Sequence, residues 1–218
     1  AAHELGTPLA TLSVILSDWK RMPEFKKNSE LLEEISEMQT QLQRCKTIVS
    51  GILLSAGEAR GESSVKTTIN TFLNDLAKEW RTTRPIPLFA YENRIVQDMP
   101  VVFDSALKQM ICNVLDNALE ASPQWVSLEA TREADALTLL ITDRGPGFLP
   151  TMLTQLGKPY QSSKGRPGSG LGLFFVVNVA RKLGGTVTAY NLGHGGAAVE
   201  LTLPLSAISL EERIVDVA

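Results

Sequence analysis

Cysteine is nearly absent, with Cys45 and Cys112 the only two in 218 residues. Two cysteines cannot make a disulfide scaffold and have no metal-ligand spacing, so the composition fits a reducing compartment. Long apolar runs are missing too. No stretch approaches the roughly 18–20 apolar residues that span a bilayer, and nothing at the start reads as a signal peptide. Nor is there an excess of basic charge. The 21 Lys and Arg against 24 Asp and Glu give a net charge of -3, which argues against a broad nucleic-acid-binding face. The 44% apolar content is enough for a sizeable core, and the length allows one or two domains.

What is there begins with a seam. Apolar residues recur at Leu5, Leu9, Leu12, Leu16 and Trp19, in steps of 4, 3, 4 and 3, the spacing of a coiled coil or helical bundle. Pro23 ends that helix and Ser29 is the expected N-cap of the next. A second seam follows at Leu31, Ile35, Met38, Leu42, Cys45, Val49 and Ile52. Two such helices form an antiparallel hairpin with more apolar stripe than it can cover, so the pattern calls for a second copy and a four-helix dimer. Residues 57–64 read as the end of the second helix and a linker. Beyond them the pattern predicts helices near 69–84, 104–121 and 171–183. Strands are expected near 86–91, 125–131, 136–142, 186–191 and 196–203. Mixed strands with helices on one face give an α/β sandwich. Residues 206–218 read equally as a short helix or a loose tail.

Three motifs in the second part carry chemistry. Asn113 and Asn117 are four apart, so on a helix they share a face, along one margin of the stripe Leu107, Met110, Ile111, Val114, Leu115 and Ala118. Asp143-Arg144-Gly145-Pro146-Gly147 follows the apolar run 137–142, at the end of a strand. Gly168-Ser169-Gly170-Leu171-Gly172-Leu173 opens an amphipathic helix, where backbone N–H groups and the macrodipole favour a phosphate. Each is weak alone, since asparagines can be solvated surface and Asp-x-Gly-x-Gly can be a plain turn. Their order, with a loose polar segment between the two glycine motifs and Gly184-Gly185 before a final hairpin, resembles the ATP-binding domain shared by sensor histidine kinases, Hsp90, MutL and type II topoisomerases. His3-Glu4-Leu5-Gly6-Thr7-Pro8-Leu9 is likewise similar to the phosphoacceptor box of histidine kinases.

That resemblance covers His3 to about Leu203. It implies a two-helix dimerisation and phosphotransfer hairpin over 1–58, a linker over 59–64, a catalytic ATP-binding domain over 65–205 and a tail over 206–218. His3 would be the residue phosphorylated by ATP. A neutral imidazole is an available nucleophile near neutral pH, and Glu4 can hold the other ring N–H. The phosphoryl group would pass to an aspartate in the receiver domain of a response regulator. Glu4 and Thr7 also match the pattern used to dephosphorylate that partner. Asn117 would be a Mg²⁺ ligand and Asn113 would line the phosphates. Asp143 would accept the exocyclic amine of adenine. Gly145 and Gly147 would admit the base; Gly168, Gly170 and Gly172, with Leu171 at the helix start, would admit the phosphates. Lys158, Lys164 and Arg166 would be lid cations, Lys164 foremost. The resemblance further implies a homodimer, and the cytoplasmic portion of an inner-membrane protein whose sensor lies outside this sequence.

Two departures are visible. Many histidine kinases carry a Lys shortly after the second asparagine, where this chain has Leu119-Glu120-Ala121, and the phenylalanine-rich lid box is reduced to Gly157-Lys158-Pro159-Tyr160. The wording of the His box is most similar to the redox-responsive RegB/PrrB type, which has a cysteine in the second bundle helix. Cys45 is in that place, with Arg44 and Lys46 beside it to favour a thiolate. Core packing is the alternative role for Cys45. A nucleotide-binding dimeric scaffold or ATPase without phosphotransfer is the alternative function, and a phosphoacceptor box has no purpose in one.

Overall fold

The computed structural model describes residues 2–55, 65–158 and 171–209. The chain divides into two compact units, Ala1–Arg60 and Gly61–Ala218.

The first unit holds α1 (Ala2–Arg21), a short α2 (Pro23–Lys26) and α3 (Ser29–Ser55). Polar contacts run Lys20 to Ser36 and Gln39, then Gln39 to Ser17, so α3 returns antiparallel to α1. Leu16, Ile35 and Leu42 are buried between them, with Leu9 and Phe25 packed against that cluster. Pro23 does not simply end the first helix. It occupies the first turn of α2, where its missing N–H costs nothing. Phe25 then stacks on Trp19, ring centroids 5.6 Å apart, and closes the hairpin. The cap of α3 is Asn28 rather than the expected Ser29, because Asn28 Oδ1 accepts the N–H groups of Glu30 and Leu31. Leu12, Ile15, Trp19 and Met38 remain well exposed in the single chain.

The second unit opens with β1 (Val65–Thr68), α4 (Ile69–Thr83), β2 (Leu88–Asn93) and β3 (Pro100–Phe103). It continues with α5 (Ser105–Ala121), β4 (Trp125–Glu133), β5 (Ala136–Asp143) and α6 (Pro150–Thr154). Helix α7 (Leu171–Lys182), β6 (Thr186–Asn191), β7 (Ala197–Pro204) and a 3-10 turn (Leu205–Ala207) complete it. Five strands form one sheet in the order β2-β4-β5-β7-β6, all neighbours antiparallel except the parallel β2 and β4. Strands β1 and β3 make a separate antiparallel pair. Each is four residues long, too short to show a period in the sequence.

Alternation builds the core. β4 buries Val126, Leu128 and Ala130, and β5 buries Leu137, Leu139 and Ile141, with half-buried residues between. Helix α5 packs on these two strands and beside α7. It starts where Asp104 accepts the N–H of Leu107 at 2.9 Å. Its apolar stripe, from Leu107 to Ala118, is buried.

Asp116 ties α5 to α4. Its Oδ1 accepts the indole N–H of fully buried Trp80 at 2.8 Å and the Arg84 Nε–H at 2.9 Å, while Oδ2 accepts from Arg84 Nη2 at 2.9 Å. Without that carboxylate a buried donor is left with no partner. Asp116→Ala is expected to lower stability by about 2 kcal/mol, and Asp116→Asn, which keeps an oxygen for the indole, by about half as much. Urea unfolding followed by tryptophan fluorescence checks both.

Candidate functional site

The apolar stripe of α5 faces the sheet, and that fixes where its margin points. Asn113, Asn117 and Ala121 lie at successive four-residue steps, one row about 12 Å long. Gln109 extends the row and donates through Nε2 to Asn113 Oδ1 at 3.2 Å. The Asn113 Nδ2 group is buried and has no hydrogen-bond partner. A buried amide donor without a partner is costly in an empty protein and useful where an anion oxygen binds.

The next position in the row meets the glycine-rich helix start. A Cβ on Gly172 would stand 3.3 Å from Asn117 Nδ2 and 3.7 Å from its Oδ1. The absent side chain thus keeps the first turn of α7 close to Asn117. The described part of helix α7 begins at Leu171, and its N-terminal, positive dipole end lies beside the asparagine amide. Gly168, Gly170, Lys164 and Arg166 lie outside the described residues. No group of three His, Cys, Asp or Glu side chains that could cage a metal occurs among the described residues. Asn117 fits a Mg²⁺ that is held largely by phosphate oxygens, since such an ion asks the protein for only one or two oxygen donors.

The last position in the row meets the strand-end turn. A Cβ on Gly145 would fall 2.6 Å from the Ala121 carbonyl oxygen, so only glycine lets this turn lie against the end of α5. Asp143, the last residue of β5, is only 6% exposed. It accepts the N–H of Gly145 at 2.7 Å and the N–H of Ala197. Burial raises its pKa above the ordinary 3.8, and the two N–H donors offset this in part. Arg144 lies over the Trp125 ring, 4.3 Å from its centroid.

Gly147 has φ +81°, a backbone state that favours glycine, and a Cβ there would stand 2.7 Å from Asn191 Oδ1. Asn191 closes β6. Its Oδ1 accepts the N–H of Phe148 at 2.7 Å and its Nδ2 donates to the Phe148 carbonyl at 2.9 Å. Asn191, Gln109 and the Ala197 N–H have no motif to announce them. Asn191 lies 43 residues from its partner, a separation that neither period nor turn chemistry bridges.

The expected phosphoacceptor residues lie elsewhere. His3, Glu4 and Thr7 fall within α1 of the first unit, and their side chains are not among those described. Pro8 is inside the same helix. Cys45, assigned to a seam by spacing, is exposed on α3 in the single chain. Cys112 is half-buried on α5, and burial pushes its thiol pKa up to about 11.

Residues 104–207 match the family described as histidine kinase-, DNA gyrase B-, and HSP90-like ATPase. The C4-dicarboxylate transport sensor protein DctB of Pseudomonas aeruginosa is 29% identical over 217 residues, covering 93% of this chain and 34% of that protein. Sensor protein CreC of Escherichia coli is 28% identical over 208 residues, covering 92% and 43%. The chain thus spans about a third to under half of the length of these relatives. Among solved structures, the mycobacterial sensor histidine kinase MprB is similar with a TM-score of 0.53 at 27% identity, covering 64% of this chain and 97% of that one. Full-length ShkA in complex with AMPPNP has a TM-score of 0.66 at 20% identity, covering 95% and 44%. The second unit therefore has the α/β-sandwich fold of the histidine kinase-, DNA gyrase B- and HSP90-like ATPases, in a chain similar over more than nine-tenths of its length to sensor proteins that include histidine kinases.

Proposed function

We propose that this chain is the kinase core of a two-component sensor, using ATP to phosphorylate its own His3 and passing the phosphoryl group to an aspartate of a response regulator. The observation that carries this is the row Asn113, Asn117 and Ala121 on α5, which brings an unpartnered amide donor, an amide beside the start of α7 and the Asp143 turn along one helix face. The likeness to sensor proteins along the chain supports it.

In this reading Asp143 accepts the exocyclic amine of adenine, a group that guanine replaces with a carbonyl. Asn113 Nδ2 donates to a phosphate oxygen. The N–H groups at the start of α7 receive phosphate charge. Asn117 would hold a Mg²⁺ ion at the triphosphate, and that ion would supply charge neutralisation. The unprotonated His3 nitrogen attacks the γ-phosphorus, the bond to the β–γ bridging oxygen breaks, and ADP leaves. Glu4 takes the proton from the other ring nitrogen, leaving a neutral imidazole ring that carries the anionic phosphoryl group. Lys164, Gly168 and Gly170 belong to the phosphate side on sequence grounds alone, as does the phosphatase role of Glu4 and Thr7. The exposed Leu12, Ile15, Trp19 and Met38 support burial against a second copy of the hairpin. No helix among the described residues is long and apolar enough to cross a membrane. Membrane attachment through a further segment rests on the resemblance of the motifs alone.

Redox control is the narrower part. Exposed Cys45 is accessible to oxidant or to a second copy, whereas the raised pKa of Cys112 keeps its thiol protonated and slow to react. Under oxidant, autophosphorylation is expected to change in wild type and in Cys112→Ala but not in Cys45→Ala. An equal response in all three assigns Cys45 to packing.

Labelling with γ-labelled ATP tests the main reading. An acid-labile, base-stable label is expected on wild type and none on His3→Ala. ATP hydrolysis without that label would favour the scaffold or ATPase alternative. Asn117→Ala is expected to cut labelling at least about a hundredfold while the chain still folds and dimerises.

Asp143 adds a pH signature. Its carboxyl pKa is higher in the folded chain than the ordinary 3.8, so the folded state holds the proton more firmly than the unfolded state. Stability from this group is therefore fully present below about pH 4 and is lost as pH rises through the folded value. Relative to wild type, Asp143→Asn is expected to gain thermal stability on going from about pH 4 to about pH 7. Its ATP affinity is expected to fall about tenfold, since a neutral amide is the weaker acceptor. Thermal unfolding across pH and nucleotide titration check the two effects.

A further inference from the structure

We infer that Asn191 is a positioning residue for the adenine end of the nucleotide, and that the β6–β7 hairpin is the support against which the Asp143 turn is set. This rests on the nucleotide-binding reading above, and adds to it a residue outside the asparagine helix and both glycine motifs.

Three contacts from one hairpin converge on one turn. Asn191 holds both polar groups of Phe148 in the manner of a strand neighbour, one N–H accepted and one carbonyl satisfied. This orients the Asn191 amide, because a flipped amide would face donor with donor and acceptor with acceptor. Gly196 has φ +97°, and a Cβ there would clash with the Asp143 carbonyl, so the hairpin backbone lies directly behind Asp143. Ala197, paired with Asn191 in the β6–β7 register, donates its N–H to the Asp143 carboxylate. Asn191 and Ala197 thus grip the two ends of the turn, at Phe148 and at Asp143. Between these grips Gly147 leaves the space that the Asn191 side chain fills. The missing Cβ of Gly147 therefore faces Asn191 and the missing Cβ of Gly145 faces Ala121.

Besides its packing on Ala121 and Trp125, the turn has little internal hydrogen bonding among the described residues. Its hydrogen bond from Gly145 to Asp143 spans two residues, and Arg144 and Pro146 are exposed. A carboxylate that must meet one amine at hydrogen-bond distance needs its backbone fixed to a few tenths of an ångström. The two Asn191 bonds supply that from outside the turn.

The test uses the chain as it is, with Asn191→Asp and Asn191→Ala. The first keeps the acceptor but sets an oxygen against the Phe148 carbonyl; the second removes both bonds without adding charge. Both are expected to weaken ATP binding and raise KM about five- to tenfold, the scale of one or two hydrogen bonds, with kcat at saturating ATP within about twofold. Because the effect acts through Asp143, the preference for ATP over GTP should narrow in both variants. In an Asp143→Asn background the added cost of Asn191→Ala should shrink below about twofold, the mark of coupled residues. Unchanged ATP affinity, or an equal loss of ATP and GTP, or a full added cost in the Asp143→Asn background, would overturn the inference. Far-UV circular dichroism and thermal unfolding show whether each variant is folded. If only one is, it alone decides. A wild-type chain that binds no ATP overturns the nucleotide reading, and the inference with it. Wild-type binding with unaffected variants overturns the inference alone.

Discussion

Four-residue spacing on a single helix is the constraint from which the proposed site follows. Once the apolar stripe of α5 is buried on β4 and β5, the row from Gln109 through Asn113 and Asn117 to Ala121 cannot point anywhere else. Asn117 and Ala121 then meet different pieces of chain, because the two glycine-rich segments come up against that row at different heights. Asp116, off the row, is tied to Trp80 and Arg84 and locks the rotation of the helix about its axis. A turn of α5 by one residue would move the amides about 100° and dissolve the arrangement. The sheet, the core and the α4 anchor act on the site through this one orientation.

Much of this was legible because period and burial coincide. The asparagine helix, the alternating strands β4 and β5 and the last hairpin have patterns long enough to read, and their observed bounds lie close to the expected ones. The misses are short or distant. β1 and β3 are four-residue strands with no period to display. Asn28 takes the cap expected of Ser29, since both are good caps and only the chain's path into α3 decides between them. Asn191 was invisible because its partner is remote in sequence. Gly145 and Gly147, expected as openings for a base, have a further reason to be glycine that the sequence did not show, since a Cβ at either would meet Ala121 or Asn191.

The two units bury their polar and apolar surplus differently. In the first, a narrow core around Leu16, Ile35 and Leu42 leaves several large apolar side chains exposed in the single chain. In the second, the buried charge among the described residues is Asp143, held under the β6–β7 hairpin against the penalty that burial imposes on any carboxylate.

The Arg144 guanidinium over Trp125 gives the protein an optical reporter of its own. The chain has three tryptophans, and each occupies a different environment. Trp19 is stacked on Phe25 in the hairpin, Trp80 is sealed beneath α5, and Trp125 alone lies under the turn that carries Asp143. A cation over an indole ring shifts its emission, so a small displacement of Arg144 changes the light from Trp125 while the other two continue as internal references. Subtracting the emission of a Trp125→Phe chain isolates that signal and leaves the Trp80–Asp116 bond in place, so the turn can be followed in real time without attaching a dye.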